Sequence, residues 1–235
     1  MVPVFDERDS LGPLVTEIAA ALGAAGGGRA YEIVAVDDGS TDDSLAVLKT
    51  LKATHPELHI VALAARAGQS AALAAGFQAA RAPIVVTLDA DLQNDPGDIP
   101  AVVAALEHNG VAAVVGYRAE RRDTGWRRLQ SRIANGVRNW LTHETIRDTG
   151  CSLKAFRAEA LRPLPRFNGM HRFLPTLVKL HGGTVAEVPV RHRPRRFGKA
   201  KYGMWNRVFR ALADAFAVRW MQRRALRYRV REEVL

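Results

Sequence analysis

Along the first half of the chain, apolar residues fall into two alternating patterns. Short runs rich in Val, Ile and Leu predict strands at 2–5, 31–36, 58–63, 83–88 and 111–117. Between them, apolar positions recur every three or four residues and predict helices at 10–22, 44–54, 69–80 and 99–107. In the first helix Leu11, Leu14, Val15, Ile18 and Leu22 share a face, and Ser10 is placed to cap its start. Three glycines at 26–28 make a flexible link. Such β–α alternation predicts an α/β domain with a mostly parallel sheet covered on both faces.

The second half is less regular. Trp126, Leu129, Ile133, Val137 and Leu141 have helical spacing among several arginines. A Gly-containing loop at 147–155 leads into a short strand, a helix follows at 173–180, and 184–190 alternates like a strand. A basic loop spans 191–202. Residues 204–230 read as one long basic helix or two joined ones. There Trp205, Val208, Phe209, Leu212, Phe216 and Trp220 share a face, flanked by Arg207, Arg210, Arg223, Arg224 and Arg227. That composition suits a helix lying on anionic lipid, and equally one docking on a core; the first turns would dock if the last lie on lipid. The chain thus divides into a domain at 1–202 and a basic amphipathic helical segment at 203–235.

Charge sharpens this division. The net charge of +10 hides a balance of −9 over residues 1–117, with 6 Lys and Arg against 15 Asp and Glu. Residues 118–235 carry 28 against 9, a balance of +19. The two halves are expected to meet different partners. A single cysteine, Cys151, excludes an internal disulfide and a Cys-based metal site. No basic start with a long apolar core marks a signal peptide, and no run of about 18 apolar residues predicts a membrane span.

The candidate chemistry centres on residues 85–96. A buried-type strand ends in Asp89 and Asp91, spaced i, i+2, with Gln93 two positions on. In an extended strand both carboxylates point the same way. They repel unless a cation joins them, and Mg²⁺ is suited because it takes few carboxylates and completes its shell with water and phosphate. Asp6 with Glu7, and Asp37 with Asp38, end two further strands on the same sheet edge, where open α/β sheets bind ligands. Clustered acids there would repel without a ligand. A nucleotide with a metal-bound diphosphate fits, with Asp38 accepting from base or ribose and Asp91 holding the metal.

Three motifs, Val2-Pro3-Val4-Phe5-Asp6-Glu7, Val36-Asp37-Asp38-Gly39-Ser40-Thr41-Asp42 and Asp89-Ala90-Asp91-Leu92-Gln93, resemble the signatures of glycosyltransferase family 2. Four more follow in order: residues 148–157 beginning Asp148-Thr149-Gly150-Cys151, His171-Arg172-Phe173-Leu174-Pro175, residues 187–195 ending Arg193-Pro194-Arg195, and Gly198-Lys199-Ala200-Lys201-Tyr202. Together they resemble the polyprenyl-phosphate glycosyltransferases, which include dolichol-phosphate mannose synthase and the undecaprenyl-phosphate sugar transferases.

The resemblance implies a GT-A fold, a Rossmann-like and mostly parallel sheet with helices on both faces and C-terminal amphipathic helices. It implies inverting transfer of a sugar from a GDP- or UDP-linked donor to a polyprenyl phosphate. Pro3, Phe5, Glu7, Val36 and Asp38 match nucleotide-holding positions, and Asp89, Ala90, Asp91 and Gln93 the diphosphate and Mg²⁺ or Mn²⁺ site. Arg118, Arg127 and Ser131 match positions near the acceptor phosphate, and Arg195 and Lys201 a basic loop over the donor diphosphate. On this reading Asp89, Asp91 and Arg118 carry the catalysis. Departures are Asp6 where Asn is usual, Ala200 where Ser is usual, and Arg66 where Asn is common.

The chemistry agrees. A phosphate monoester has a second pKa of about 6, so it is already a nucleophile near neutral pH. What remains is to place it in line and to neutralise the leaving diphosphate. The expected location is the cytoplasmic face of the membrane, bound peripherally to anionic lipid, with a separate membrane subunit as a further expectation. Two rivals stand beside this. One is a family 2 enzyme acting on a saccharide, although the Gln-x-x-Arg-Trp motif of processive members is absent. The other is a nucleic-acid-binding protein, for which the basic half speaks but no recognition motif does. The 191–202 loop is expected to be mobile until anions arrive, because its cations repel one another.

Overall fold

The computed structural model describes residues 1–23, 28–118, 136, 139–197 and 204–226, with 204–210 as backbone only. Seven strands and seven helices are named: β1 Val2–Val4, α1 Arg8–Leu22, β2 Ile33–Asp37, α2 Ser44–Lys52, β3 Leu58–Ala62, α3 Gln69–Ala79 and β4 Ile84–Thr87. They continue with α4 Ile99–His108, β5 Ala113–Arg118, β6 Lys154–Arg157, the single turn α5 Ala158–Leu161, α6 Leu174–Leu180, β7 Val185–Val190 and α7 Met204–Arg224. The expected elements of the first half all occur, with ends shifted by one or two residues.

Strands β1, β2 and β3 pair in parallel, and a second ladder runs β4-β6-β5-β7. Met1 joins the two. Its ammonium donates to the Val86 carbonyl at 2.8 Å, and its carbonyl accepts from Leu88 N–H at 3.1 Å, a parallel pattern. The strand order is therefore 3-2-1-4-6-5-7. Among the described strands, only β6 runs antiparallel to its neighbours, β4 and β5.

Period two explains the layers. In β2, Ile33 and Ala35 pack into the cluster with Leu11, Leu14 and Ile18 of α1, Leu48 of α2 and Leu106 of α4. Val34 and Val36 face the other way, against Ala72 of α3. All five β2 residues are buried, as a strand covered on both faces requires. The Ala-rich sequence of α3 and its Gly76 let that helix sit close to Met1 and Val36. A third cluster joins Leu73 and Phe156 to Leu174, Leu177 and Val178 of α6 and to Ala215 and Val218 of α7.

Ser10 does not cap α1. It is the third helical residue, completely buried, and its hydroxyl donates to the Glu7 carbonyl at 2.8 Å. The expected helix over 126–141 lies almost wholly outside the described residues, as do Gly198–Tyr202 and residues 227–230. Helix α7 is a single element over Met204–Arg224, and in its described part the face that docks on the core is not the expected one that carries Phe216 and Trp220. Ala215 and Val218 are buried in the core, whereas Phe216 and Trp220 are 61% and 63% exposed. The side chains of Trp205, Arg207, Val208, Phe209 and Arg210 lie outside the described part. Among the described residues no helix is long and apolar enough to cross a membrane.

Candidate active site

Because β1, β2 and β4 run in parallel, their C-terminal ends open on one edge. A cleft there is lined by Pro3, Val4, Phe5, Glu7, Asp38, Gln69, Ala72, Asp89, Ala90, Asp91 and Arg195. Two of the loops that shape it hold side-chain-bearing residues in the left-handed region, Asp6 at φ 49° and Leu92 at φ 59°. Such strain, of order 1 kcal/mol or more, persists where the surroundings over-determine the backbone.

Of the clustered acids, Asp6 and Asp38 accept hydrogen bonds from the chain itself, whereas Asp37 Oδ1 is buried with no hydrogen-bond partner among the described residues. Asp6 Oδ1 accepts from Thr41 N–H at 2.7 Å, and Asp42 Oδ1 from Ser44 N–H at 2.9 Å. Asp38 Oδ1 accepts from the N–H groups of Ala67 and Gly68 at 2.7 and 3.0 Å, and Oδ2 accepts from Gly68 at 2.9 Å. Asp38 therefore clamps the loop before α3 as well as lining the cleft. Above it, the Arg66 guanidinium sits 4.2 Å from the centre of the Phe5 ring, covering one aromatic face.

The like-charge pair that remains is Asp89 with Asp91. Burial, followed by the charge of Asp91, pushes the Asp89 carboxyl up to about 6. Its Oδ1 accepts from Gln69 Nε2 at 3.0 Å, and its backbone N–H donates to Ser152 Oγ at 3.1 Å. Asp91 Oδ1 accepts from Gln93 N–H at 3.1 Å, and its Oδ2 meets Arg195 Nη2 at 2.7 Å. Arg195 also reaches Glu7 at 3.8 Å. A cation thus stands against this pair. Two neighbouring carboxylates, with the Arg195 guanidinium and the Lys154 ammonium as positive neighbours, form a donor set that fits Mg²⁺ or Mn²⁺.

Several expected residues are placed differently. Gln93 does not line the cleft; its N–H caps Asp91 and its carbonyl accepts from Arg193 N–H at 2.7 Å. Val36 is completely buried under α3, so its side chain is core. Arg118 is not a lining residue, and its fork is engaged: Nε and Nη2 donate to Asp148 Oδ2 and Oδ1 at 2.6 and 3.0 Å. An acceptor phosphate there would share Arg118 with Asp148. Arg127, Ser131 and Lys201 lie outside the described residues.

The start of the 191–202 loop is pinned. Arg191 bonds Asp95 at 3.1 Å and Asp98 at 2.8 Å, and Arg193 bonds Asp95 at 2.7 Å and Glu17 at 2.6 Å. With Arg195 on Asp91, every second residue of this extended segment meets an acid. Arg191, Arg193 and Arg195 are thus each paired with acids, whereas Lys199 and Lys201, which the expected repulsion also involved, lie outside the described residues.

Sequence reasoning missed Gln69, Ser152 and Lys154. Lys154 is buried in β6, and its ammonium donates to the Cys151 carbonyl. Burial lowers its pKa, while Cys151, Asp89 and Asp148 oppose that shift. It is the cation between Asp89 and the Arg118–Asp148 pair. The available signal was a lone Lys in the apolar run Leu153-Lys154-Ala155-Phe156.

A family model for glycosyl transferase family 2 matches residues 1–165. The chain belongs to glycosyl transferase family 2. It is 38% identical over 227 residues to a dodecaprenyl-phosphate galacturonate synthase of Rhizobium johnstonii, covering 95% of this chain and 66% of that protein. It is 37% identical over 206 residues to an undecaprenyl-phosphate 4-deoxy-4-formamido-L-arabinose transferase of Edwardsiella ictaluri, covering 87% and 62%. The chain spans slightly under two thirds of the length of these relatives.

Among solved structures, glucosyl-3-phosphoglycerate synthase of Mycobacterium tuberculosis aligns with TM-score 0.68 at 21% identity, covering 94% of this chain and 78% of that one. A Pyrobaculum calidifontis mannosyltransferase in complex with GDP-Man and Mn²⁺ aligns with TM-score 0.59 at 23% identity, covering 80% and 53%. These likenesses establish a GT-A-like α/β fold for this family 2 chain.

Two results are expected from the cleft. Gly39 has φ +64°, and a Cβ there would lie 2.5 Å from Arg66 N and 2.6 Å from the Ala65 carbonyl carbon. Gly39→Ala should therefore cost about 1–3 kcal/mol in a thermal melt. It should also weaken nucleotide binding by pushing Arg66 from Phe5. Second, a cation held by Asp89 would need its carboxylate ionised, and burial pushes that carboxyl up to about 6. Affinity for Mn²⁺ with a nucleoside diphosphate should fall as pH drops through about 6 and level off above it. The metal-free fold should show the opposite trend. A raised carboxyl pKa stabilises the protonated folded form, so stability declines as pH rises from about 4 to about 6. Titration calorimetry and melts at matched pH check both signs.

Proposed function

We propose that this chain is an inverting glycosyltransferase that moves a sugar from a nucleoside-diphosphate donor to a polyprenyl phosphate. The product would be a lipid-linked sugar for modifying cell-envelope glycan or lipopolysaccharide. The observation that carries the reading is the cleft at the ends of β1, β2 and β4, where Asp89, Asp91 and Arg195 meet. The names of the two relatives supply the lipid-phosphate acceptor.

In the reaction, an acceptor phosphate oxygen attacks the sugar's anomeric carbon as that carbon's bond to the diphosphate oxygen breaks. The bonding pair leaves on the nucleoside diphosphate, and configuration inverts. Asp89 and Asp91 would hold Mg²⁺ or Mn²⁺, which supplies charge neutralisation for the leaving diphosphate. Asp91 would then release Arg195, whose guanidinium is suited to bidentate phosphate contact. The acceptor arrives ionised, so the chain needs to orient it rather than deprotonate it.

The lipid tail stays in a bilayer, and α7 offers the contact. Phe216, Trp220 and Leu226 are exposed beside exposed Arg223 and Arg224. This supports peripheral binding at the inner face of the cytoplasmic membrane. Phe216→Ser with Trp220→Ser should weaken co-sedimentation with anionic vesicles without unfolding the core.

The decisive assay offers a panel of radiolabelled UDP- and GDP-sugars, uronic acids included, with Mn²⁺ and undecaprenyl phosphate. Label passing to the organic phase supports the lipid acceptor. Label transferred only to water-soluble saccharide would replace it with the saccharide reading.

A further inference from the structure

Helix α7 carries a single acid, Asp214, and it turns inward. Arg172 Nη1 donates to Asp214 Oδ2 at 3.2 Å. Gly169, at φ +101°, lies against the same carboxylate, and a Cβ there would overlap it. Asp214 therefore grips the turn at Met170–Arg172 from one side. Ser70 grips it from the other. The Gly169 N–H donates to Ser70 Oγ at 3.0 Å, and His171 Nδ1 lies 2.8 Å from the same oxygen. Ser70 is buried in the first turn of α3. Its predecessor Gln69 donates to Asp89, and Gly68 donates to Asp38.

We propose that Asp214 is a positioning residue for the donor site: by clamping the 169–172 turn it fixes, through Ser70, the first turn of α3 that sets Gln69 against Asp89. The inference rests on reading the cleft as the donor site. A carboxylate that holds a cation must be kept within a fraction of an ångström, and its outer partners commonly matter tenfold or more. Two hydrogen bonds to one buried hydroxyl leave the start of α3 little freedom while the turn is held. The helix that grips the turn presents Phe216 and Trp220 on its opposite face.

The test uses the full chain with UDP and with GDP, each with Mn²⁺. Asp214→Ala is expected to raise the nucleotide Kd about tenfold and to leave the lipid acceptor KM unchanged. In ligand-free protein it should speed amide exchange at residues 68–72. Ser70→Ala should give the same donor defect, and the double variant should be no worse than either, since both act through one path. Arg172→Lys, which keeps the ion pair, should stay within about twofold of wild type. Unchanged exchange at 68–72, or a lower melting temperature with unchanged nucleotide Kd, would overturn the proposal. Wild type binding nucleotide but making no lipid product removes only the acceptor reading. Wild type binding neither nucleotide overturns the donor cleft and this proposal together.

Discussion

Asp91→Asn should lower turnover by roughly 10³-fold or more while leaving the fold intact. The amide keeps the volume, and its oxygen can still accept from Gln93 N–H, which now caps the carboxylate at 3.1 Å. What disappears is the charge that faces Arg195 at 2.7 Å and repels Asp89. Without it the cleft cannot hold a divalent cation on two carboxylates. The Asp89 carboxyl should also fall back toward the ordinary range, because the neighbouring charge is the second cause of its rise. The pH midpoint of any residual nucleotide–Mn²⁺ binding should therefore move down. Steady-state rates with and without EDTA check the first effect, and calorimetry across pH the second. A variant retaining near wild-type rate in EDTA would show that no cation is used.

The largest stability effect is expected at Asp148. This carboxylate is buried and pairs with Arg118 through two hydrogen bonds of 2.6 and 3.0 Å. It also acts on the buried Lys154 ammonium. Asp148→Ala leaves two cations without it, and stranding a buried charge costs about 3–5 kcal/mol. For a domain of this size that is a fall of about 10 °C in Tm. Arg118→Met in the same background should recover part of the loss, because the pair is coupled. Arg118→Met alone should raise the KM for polyprenyl phosphate and spare nucleotide affinity, if Arg118 touches the acceptor. A defect confined to nucleotide binding would move Arg118 out of the acceptor site.

The strands and helices of the first half were legible because their periodicities are clean and their turns are short. Asp89 and Asp91 were legible as acids just past the end of β4, but the strand stops at Thr87 and Ala90 and Asp91 lie in a turn, so the two-residue strand period does not set their placement. The partners were not legible. Gln69 looked like an ordinary helix start, and only the fold brings it across to Asp89. Lys154 sits 63 residues after Asp91 in the chain, and a long-range antiparallel pairing inserts its strand beside β4. Arg118 read as a free phosphate ligand because nothing near it in sequence announces Asp148. Alternation in the 191–195 segment was visible, but the acids awaiting each arginine belong to α1 and to the loop after β4. Side-chain pairing across distant segments is set by topology, which periodicity does not encode.

The place of β6 bears on how such a chain is made. It lies between β4 and β5, yet it is synthesised some 36 residues after β5 ends at Arg118. A nascent chain that has emerged only to Arg118 can join β1 to β4, but β5 has no strand to pair with, and β4 presents an open edge. Open edges of apolar strands are where chains pair with the wrong partner. The first half therefore cannot close on the ribosome as a unit, despite its regular β–α rhythm. Its sheet becomes continuous only when residues 154–157 have left the exit tunnel, and the same chemistry-bearing strand that separates Asp89 from Asp148 is the last piece its centre waits for.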